Sequence, residues 1–421
     1  MKKLKTKYLI LGAGITGLSF ANFIEKDYLI IEKEKEVGGF CRTIYENEYI
    51  WDYAGHFFHF SDTKIKKLFL DEMSEEELVF QRKNTKIFFK NLVIDYPFQK
   101  NIHQLDKEEF IECLYDLFNK QEKDKYKNFL EMLYGKFGKS ITEYFLKPYN
   151  EKLYACNLNK LDVDAMGRFF PYANTNEIIN NMKEKNNISY NDTFLYPKKG
   201  AIYFIDKIFS KLDSDRIKLE QKILKIDYKE KKICTKDYEI EYEYLINTIP
   251  LNKLCNLLNL RKEEVNKVLT YNKVLVFNLG FDKKSKYQDI HWAYIPDKEI
   301  NFYRIGFYDN ILNQNKLSMY IEIGFNSNEE ISIKKEFERT IENLKKLGII
   351  EEHKLIASSA LVMSPAYVHI SKESEKLKFE IKKELIGEKI YSIGRYGDWK
   401  YCSIEDSIKD ALNLSEELKK I

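Results

Sequence analysis

The stretch Lys7–Lys33, KYLILGAGITGLSFANFIEKDYLIIEK, decides the fold of this 421-residue chain. An apolar run leads into the glycine pattern of Gly12, Gly14 and Gly17, which an apolar helical pattern follows. A second apolar run then ends at Glu32. Strand, glycine turn, helix, strand and acid stand in the order of a dinucleotide-binding βαβ unit. The stretch therefore predicts a Rossmann-type unit that binds either FAD or NAD.

Each of the key residues in this unit is of a type that dinucleotide binding or helix packing requires. Gly12 permits the tight turn, Gly14 lets the backbone approach a pyrophosphate, and Gly17 lets the helix pack closely on the strand. The free N–H groups of the helix N-terminus, around Thr16, would meet the phosphates. Glu32 can accept hydrogen bonds from ribose hydroxyls, which favours a cofactor with an unphosphorylated ribose.

A second glycine pair follows the acid, in the segment VGGFCRT. A plain NAD domain does not need Gly38 and Gly39, but they make sense if the backbone contacts a long cofactor a second time. Arg42 would then lie near its pyrophosphate. The alternative is an ordinary glycine turn with a surface arginine. The combined pattern resembles the FAD-binding superfamily that contains amine oxidases, so it favours FAD over NAD.

Composition narrows the class of protein. Hydrophobic residues make up 44% of the chain and aromatic residues 14%, enough for the cores of two domains. The net charge of +3 gives no strong field that would attract nucleic acid or a membrane surface. The six cysteines are widely spaced, which predicts reduced thiols without a metal. Because no apolar run approaches 18 residues, we expect a soluble, cytoplasmic protein without an integral membrane segment.

The order of patterns predicts an α/β fold with interleaved parts. We expect a Rossmann-type FAD-binding domain, an inserted helical domain, and a substrate domain built on a second, antiparallel β-sheet. The predicted boundaries are 1–95 for the FAD-binding part, 96–190 for the helical insert that contributes to the nucleotide pocket, 191–270 for the continued FAD-binding domain, 271–385 for the β-sheet substrate domain, and 386–421 for the C-terminal part of the FAD-binding domain.

Two further segments point to the cofactor. Aromatic residues surround Gly55 and His56 in the segment WDYAGHFFHF, and a glycine there suggests close approach to a flat ligand. His56 and His59 lack a third partner at metal-ligand spacing, so we expect no metal. Near the end of the chain, an apolar strand runs into Gly394 and Arg395 before a helical pattern. This arrangement can return a second helix N-terminus to the cofactor.

With these blocks in place, the chain resembles the UDP-galactopyranose mutase family, and its longer, eukaryotic-type members more than the short bacterial ones. The resemblance covers nearly the whole chain and depends on the order and spacing of several blocks together. They are GAGITGL, VGGFCRT, DYAGHFFHFSD, DYPFQKNI, FLKPYNEKLYA, AMGRFFP, NDTFLYPKKG, FYRIGFYDN and GRYGDWKY.

The resemblance implies an isomerase that performs no net oxidation. In this family, N5 of reduced FAD attacks the anomeric carbon of a nucleotide sugar, and the pyranose and furanose forms interconvert. UDP-galactose or a related UDP-hexose is the expected substrate, and galactofuranose for capsule, lipopolysaccharide or another surface polysaccharide is the expected use. FAD is the expected cofactor, active when reduced, with NAD(P)H as a candidate reductant. A homo-oligomer is a candidate assembly.

The resemblance also implies roles for individual residues. Arg168 and Arg304 match the family's two diphosphate-binding arginines. His56 matches the histidine beside the flavin, where the carbonyl of the preceding glycine, here Gly55, faces N5. These four residues are the candidate catalytic group.

The candidate cofactor contacts are Gly12, Gly14, Thr16, Gly17, Glu32, Lys33, Gly38, Gly39, Arg42, Gly55, Gly394 and Arg395. The candidate substrate contacts are Tyr96, Phe98, Gln99, Phe145, Asn150, Tyr154, Arg168, Asn191, Tyr294, Arg304, Tyr367, Arg395 and Tyr401. Among these, the first six match the family's nucleobase pocket. For Phe145 and Tyr154 taken alone, hydrophobic core is an equally good interpretation.

The chain departs from the family's pattern at two positions by the sugar. Ser364 stands before Pro365 where many members have a tyrosine, and Tyr367 is a candidate to fill that space. After Arg304, Ile311 stands where a tyrosine is usual, and Tyr308 is nearer. Both departures bear on the identity of the sugar more than on the chemistry.

Two other functions remain open from the sequence. An FAD-dependent amine oxidase or desaturase would need an apolar channel, and gives no reason for Arg168, Arg304 and Arg395. A flavin-bearing subunit without catalytic activity gives no reason for His56 beside Gly55, nor for a nucleobase pocket next to the cofactor site. The mutase is the leading hypothesis.

Overall fold

The computed structural model describes residues 1–71, 73–184 and 192–420. In chain order, the strands of this part are β1 (Lys2–Leu11), β2 (Tyr28–Ile31), β3 (Thr43–Glu46), β4 (Tyr49–Asp52), β5 (Leu78–Arg82), β6 (Thr85–Phe89), β7 (Leu92–Asp95), β8 (Thr193–Pro197), β9 (Ile217–Lys218), β10 (Ile223–Asp227), β11 (Lys232–Thr235), β12 (Tyr238–Asn247), β13 (Asn272–Phe281), β14 (Trp292–Tyr294), β15 (Arg304–Phe307), β16 (Ser318–Asn326), β17 (Leu355–Met363) and β18 (Ile390–Ser392).

The α-helices of the same residues are α1 (Ile15–Ile24), α2 (Thr63–Leu70), α3 (Lys107–Phe118), α4 (Phe129–Ile141), α5 (Lys147–Tyr154), α6 (Thr175–Lys183), α7 (Ile202–Phe209), α8 (Leu251–Leu258), α9 (Lys262–Val268), α10 (Tyr308–Leu312), α11 (Ile333–Lys346), α12 (Lys372–Gly387), α13 (Gly394–Gly397) and α14 (Ile404–Leu418). None of the helices in the described ranges is long and apolar enough to cross a membrane.

The first sheet carries the Rossmann unit. Its strands run in the order β10-β11-β12-β1-β2-β9, and β18 pairs with β12. β1 lies parallel to both β2 and β12, and β18 lies parallel to β12, so the C-terminal segment returns to this sheet. β10, β11 and β12 form an antiparallel meander at one edge. The predicted Rossmann-type architecture is confirmed.

Helices cover both faces of this sheet, as a buried parallel sheet requires. Successive residues of β1 point to opposite faces. Tyr8 and Ile10 pack in a core with α1, α7 and α14, whereas Leu9 and Leu11 pack in a second core with α8, α9 and α12. The continuous apolar run of β1 is therefore explained by burial on both sides.

The second sheet has the order β17-β13-β16-β15-β14-β6-β7. All of its pairs are antiparallel except β14 with β6, which is parallel. One face packs on α11 through Leu275 and Leu344, and the other packs on the helices of the insert through Val276 and Phe129. The predicted second sheet is thus present.

The placement of the β6–β7 hairpin differs from the expected boundaries. The sequence prediction assigns residues 1–95 to the FAD-binding part, yet β6 and β7 extend the second sheet by pairing with β14. The physical reason is that Ile87 and Ile94 of the hairpin are fully buried in the core shared by this sheet and the helical insert. Helices α3 to α6 fall within residues 96–190.

Candidate active site

One large cavity, of about 1480 Å³, lies between the two sheets. Gly12, Glu32 and Thr248, which follow β1, β2 and β12, line one end of it. Arg304 of β15 and Tyr320 of β16 line the other end. The crevice at the carboxyl ends of parallel strands is where open α/β sheets bind ligands. The cavity therefore joins the predicted cofactor site to the predicted substrate domain.

The two glycine segments meet directly at this cavity. Gly14 and Gly38 form an isolated parallel bridge, and the Gly38 N–H donates a 2.8 Å hydrogen bond to the Ala13 carbonyl. A Cβ atom at Gly17 would lie 2.1 Å from the Gly12 carbonyl oxygen, so α1 can approach the turn only with glycine there. The segments thus build one backbone cradle, with Gly17 behind the cavity wall.

Glu32 is fixed by the same turn. Its Oε2 accepts a 2.8 Å hydrogen bond from the Ala13 N–H, and its Oε1 accepts a 3.0 Å bond from the Glu34 N–H. A carboxylate can accept about four hydrogen bonds, so it retains capacity for ribose hydroxyls. Lys33 also lines the cavity, and its ammonium group pairs with the Glu34 carboxylate at 2.7 Å.

Arg42 is held tightly at the second glycine segment. Its Nε donates to the Gly39 carbonyl at 2.8 Å, and its Nη1 lies 3.2 Å from a carboxylate oxygen of Glu36. The guanidinium lies over the Tyr53 ring at 4.8 Å. Arg42 is buried and lines the cavity, which suits a cation near a pyrophosphate.

The C-terminal segment completes the cradle. Gly394 has a φ of +79°, and a Cβ atom there would lie 2.4 Å from Oγ1 of Thr16. Gly394 itself is outside the cavity wall, whereas Thr16 is part of it. The close contact explains why a glycine is needed where the chain returns to α1.

Arg395, the next residue, lines the cavity among aromatic rings. Its Nη1 donates to the Cys402 carbonyl at 2.8 Å. Its guanidinium lies 4.8 Å from the centroid of the Tyr401 ring and 5.4 Å from that of Tyr367. The two tyrosine rings are themselves stacked at 5.8 Å. Flat rings around a cation restrict its orientation without neutralising it.

Gly55 and His56 both line the cavity. Burial, together with the positive charge of Arg395, lowers the pKa of His56 to about 4, and the Ala54 backbone only partly offsets this. His56 is therefore neutral near pH 7. Its Nδ1 is buried and makes no hydrogen bond to the residues that the structure describes. An unpaired buried polar atom at a cavity wall can form its missing hydrogen bond with a bound ligand.

Arg304 presents a second cation to the cavity. It pairs with Glu322, the residue opposite it on β16, and Glu322 is only 1% exposed. The other carboxylate oxygen of Glu322 accepts a 2.5 Å hydrogen bond from the Tyr303 hydroxyl. Within the described part of the chain, Nε of Arg304 is buried without a partner. The guanidinium thus keeps a donor for a further acceptor.

Arg168 reaches the cavity from the helical insert and is half-exposed. Its Nη2 lies 2.7 Å from each carboxylate oxygen of Asp406. Asp406 belongs to the first turn of α14 and forms a capping box with Ser403. The structure therefore brings Arg168, Arg304 and Arg395 to one cavity.

Four of the predicted aromatic substrate contacts divide into two groups. Tyr96 and Tyr294 line the cavity, with ring centroids 5.0 Å apart. Phe98 and Phe145 lie behind the cavity wall, in a stack with Tyr149, which does line it. Large apolar rings pack into the core, and the polar-tipped tyrosines remain at the cavity.

Three further predicted contacts also lie behind the cavity wall. The Gln99 side chain donates to the Pro171 carbonyl, and the Asn150 side chain donates to the Leu146 carbonyl at 2.6 Å. Tyr154 is 1% exposed and packs edge-on against Tyr367. Their roles as substrate contacts stay predictions. Asn191 lies outside the described residues.

The two departures from the family's pattern differ in their placement. Ser364, Pro365 and Tyr367 all line the cavity, and the replacement of the family's tyrosine by Tyr367 stays a prediction. Ile311 is 1% exposed in the core, and Tyr308 is fully buried. Neither of these two residues belongs to the cavity wall.

The sequence interpretation missed Glu322, Tyr320 and Asp406. A signal existed for Glu322, because it is the charged residue within the otherwise apolar strand segment SMYIEIGF. Such a residue in a buried strand needs a partner. Tyr320 and Asp406 carry no comparable signal, since one is an aromatic residue in a strand and the other an acid at the start of a helix.

Comparisons with known proteins agree with this architecture. Residues 10–72 match a family model described as an NAD(P)-binding Rossmann-like domain. A crystal structure of reduced UDP-galactopyranose mutase is similar with a TM-score of 0.92 and 22% identity, covering 99% of this chain and 94% of that one. A putative protoporphyrinogen oxidase from Exiguobacterium sp. 255-15 follows with a TM-score of 0.76, 17% identity, and coverage of 100% and 99%.

Putrescine oxidase bound to putrescine is also similar, with a TM-score of 0.69, 9% identity and full coverage of both chains. The mutase and the two oxidases thus have one common architecture, which accommodates different chemistries. The resemblance seen in the sequence is confirmed at the level of the fold: over nearly its whole length, this chain has the fold of UDP-galactopyranose mutase.

Proposed function

We propose that this chain is an FAD-dependent mutase that interconverts the pyranose and furanose forms of a nucleotide sugar. A UDP-hexose such as UDP-galactose is the favoured substrate. One observation carries the proposal: a single cavity joins the glycine cradle and His56 to three arginines, Arg168, Arg304 and Arg395. A cofactor site that faces several cations suits a substrate with a diphosphate.

The residues at the first sheet fit FAD. The bridged backbone of Gly14 and Gly38 leaves room for a pyrophosphate, with Arg42 nearby to match its charge. Glu32 presents a fixed carboxylate to ribose hydroxyls. The unpaired Nδ1 of His56 offers a hydrogen-bonding position further along the cavity. When bound and reduced, FAD would supply a nucleophilic nitrogen for the anomeric carbon.

The arginines would bind the diphosphate and stabilise its charge as the bond to the sugar breaks. Arg presents a planar fork of donors that matches phosphate oxygens. Each charge-assisted hydrogen bond could contribute ~1.5–3 kcal/mol. Because His56 is neutral, it adds a hydrogen-bonding group without adding charge to the cavity. The arginines would thus stabilise the negative charge that develops on the diphosphate in the transition state, which is electrostatic catalysis.

The tyrosines would hold the nucleoside and exclude water. Tyr96, Tyr149 and Tyr294 form one aromatic group at the cavity, with Tyr294 5.0 Å from each of the other two rings. Their flat faces suit a nucleobase. This group lies beside Arg304, since Tyr294 and Arg304 are directly opposite on β14 and β15. A uridine and its diphosphate would therefore bind side by side.

An oxidase remains the alternative, because two of the similar structures are oxidases. An amine or apolar substrate gives no reason for three arginines at the wall of one cavity. Use in surface polysaccharide synthesis such as capsule or lipopolysaccharide, a cytoplasmic location, NAD(P)H as reductant and homo-oligomer formation remain parts of the proposal that follow from the family resemblance alone.

The test is a comparison of redox states. The protein is loaded with FAD, reduced with dithionite or left oxidised, and incubated with UDP-galactopyranose, and the products are separated by chromatography. We expect the furanose form with the reduced protein and almost none with the oxidised protein. Equal activity in both states would contradict a nucleophilic role for the flavin. Hydrogen peroxide formed from an amine would favour the oxidase.

A further inference from the structure

Tyr320 packs closely against two glycines, Gly306 and Gly55, at the cavity. It lies on β16 directly opposite Gly306 of β15, and a Cβ atom at Gly306 would lie 2.0 Å from the tyrosine ring. A Cβ atom at Gly55 would lie 2.4 Å from the tyrosine hydroxyl oxygen. Any larger residue at either glycine would displace the ring. The slot therefore fixes the direction in which the hydroxyl points.

The hydroxyl of Tyr320 makes no hydrogen bond to the described residues, although the side chain is only 1% exposed. Its neighbours differ: the Tyr308 hydroxyl bonds to backbone atoms of Asp52 and Ala54, and the Tyr303 hydroxyl bonds to Glu322. Burial raises the pKa of Tyr320, so it stays protonated and can donate. Because Tyr320 lines the cavity, its hydroxyl can donate a hydrogen bond to a ligand that binds there.

The position of Tyr320 indicates which part of a ligand it would meet. The Arg304 guanidinium lies over its ring at 5.7 Å, whereas its hydroxyl end contacts Gly55, next to His56. The proposed diphosphate lies at Arg304, and the proposed reactive end of the cofactor lies at Gly55 and His56. In a nucleotide sugar, the anomeric carbon of the hexose is bonded to the diphosphate, so the hexose would lie between the diphosphate and the reactive end of the cofactor.

We propose that the Tyr320 hydroxyl donates a hydrogen bond to an oxygen of the hexose, and so helps to determine which sugar is accepted. This role rests on the proposed function. It predicts a contact that UDP lacks and UDP-galactose has. Replacement by phenylalanine keeps the ring in the glycine slot and removes only the donor.

The test compares Tyr320→Phe with the wild type by calorimetry, using UDP and UDP-galactose on the FAD-loaded protein. We expect the dissociation constant for UDP to stay within twofold and that for UDP-galactose to rise about tenfold, which is the loss of one hydrogen bond of ~1.4 kcal/mol. Monodeoxy analogues of UDP-galactose then identify the oxygen. The analogue that lacks this oxygen should bind the wild type about tenfold more weakly than UDP-galactose does. With Tyr320→Phe, the analogue and UDP-galactose should bind equally well.

Tyr308→Phe is the matched control, because Tyr308 packs 5.3 Å from Tyr320 but does not line the cavity. With Tyr308→Phe, the same analogue should bind about tenfold more weakly than UDP-galactose, as it does with the wild type. Two results would overturn the sugar contact while leaving the mutase proposal intact. In the first, Tyr320→Phe weakens the binding of UDP and of UDP-galactose equally. In the second, the loss of affinity from UDP-galactose to the deoxy analogue is the same for Tyr320→Phe as for the wild type. A wild type that binds UDP-galactose no differently from UDP and does not convert it would overturn both.

Discussion

Glu322 holds Arg304 at the cavity wall from the neighbouring strand. The two residues are directly opposite in the register of β15 and β16, and their side chains form an ion pair. Glu322 is almost fully buried, and Arg304 has a side chain that is 20% exposed. A buried charge is costly without its partner, so the pair fixes the arginine in place while Nε remains available.

We expect Glu322→Gln to weaken both stability and nucleotide binding. The amide keeps the shape but leaves the Arg304 charge uncompensated, which should lower the free energy of unfolding by about 3 kcal/mol. Urea denaturation measures this change, and calorimetry with UDP measures the affinity. Glu380→Gln is the control, because Glu380 pairs with the partly exposed Arg261, and its loss should cost about 1 kcal/mol or less. Similar losses in both variants would contradict a special role for Glu322.

Arg304→Ala should weaken UDP binding by more than tenfold. The substitution removes a guanidinium that faces the cavity, and a charge-assisted hydrogen bond to phosphate contributes ~1.5–3 kcal/mol. Calorimetry with UDP measures the dissociation constant directly. Arg261→Ala, in an ion-pair group with Glu380 and Glu384 on α12, is the control and should bind UDP as the wild type does. Unchanged affinity in Arg304→Ala would remove this residue from the proposed diphosphate site.

The Rossmann unit could be predicted because its signals are local. Gly12, Gly14 and Gly17 lie within six residues, and the strands and helix around them have clear periodicity. The ion pair of Arg304 with Glu322 could not be predicted, although both strands were. A shift of one residue in register would place Glu322 on the opposite face of the sheet from Arg304, and no local pattern determines that register.

Long-range packing also decided which aromatic residues reach the cavity. Phe145 and Tyr149 are neighbours on consecutive helical turns, with stacked rings. The sequence shows that both are suited to burial, but only the packing of the insert against β14 places Tyr149 at the cavity and Phe145 behind it. The β6–β7 hairpin is a similar case, since its partner β14 lies about 200 residues further along the chain.

The stability of the protein should depend on pH through His56. Burial lowers its pKa to about 4 in the folded protein, whereas an unfolded chain has a histidine pKa near ~6.5. As the pH falls below about 6.5, the unfolded chain takes up a proton that the folded protein does not, so the stabilisation that neutral His56 provides is lost towards pH 4. Asp52, whose pKa burial raises to about 7, acts in the opposite direction.

Comparison with His56→Asn isolates the histidine, because Asp52 is present in both proteins and its effect cancels. Between pH 7.5 and 4.5, the wild type should lose about 2 kcal/mol of unfolding free energy relative to the variant. Urea denaturation at both pH values measures the difference. A constant difference across this range would mean that His56 takes up its proton in the folded state as readily as in the unfolded chain.

Gly17→Ala should produce a protein that does not retain FAD. The new Cβ atom would lie 2.1 Å from the Gly12 carbonyl oxygen, so α1 must move away from β1 and open the turn that would bind the pyrophosphate. Flavin absorbance per protein after gel filtration measures the loss, and circular dichroism shows whether the helices remain. Gly387→Ala is the matched control at the end of α12, where an added Cβ meets nothing within 4 Å. It should purify with wild-type flavin content, and a Gly17→Ala protein that did the same would show that the helix can shift without disturbing the cofactor.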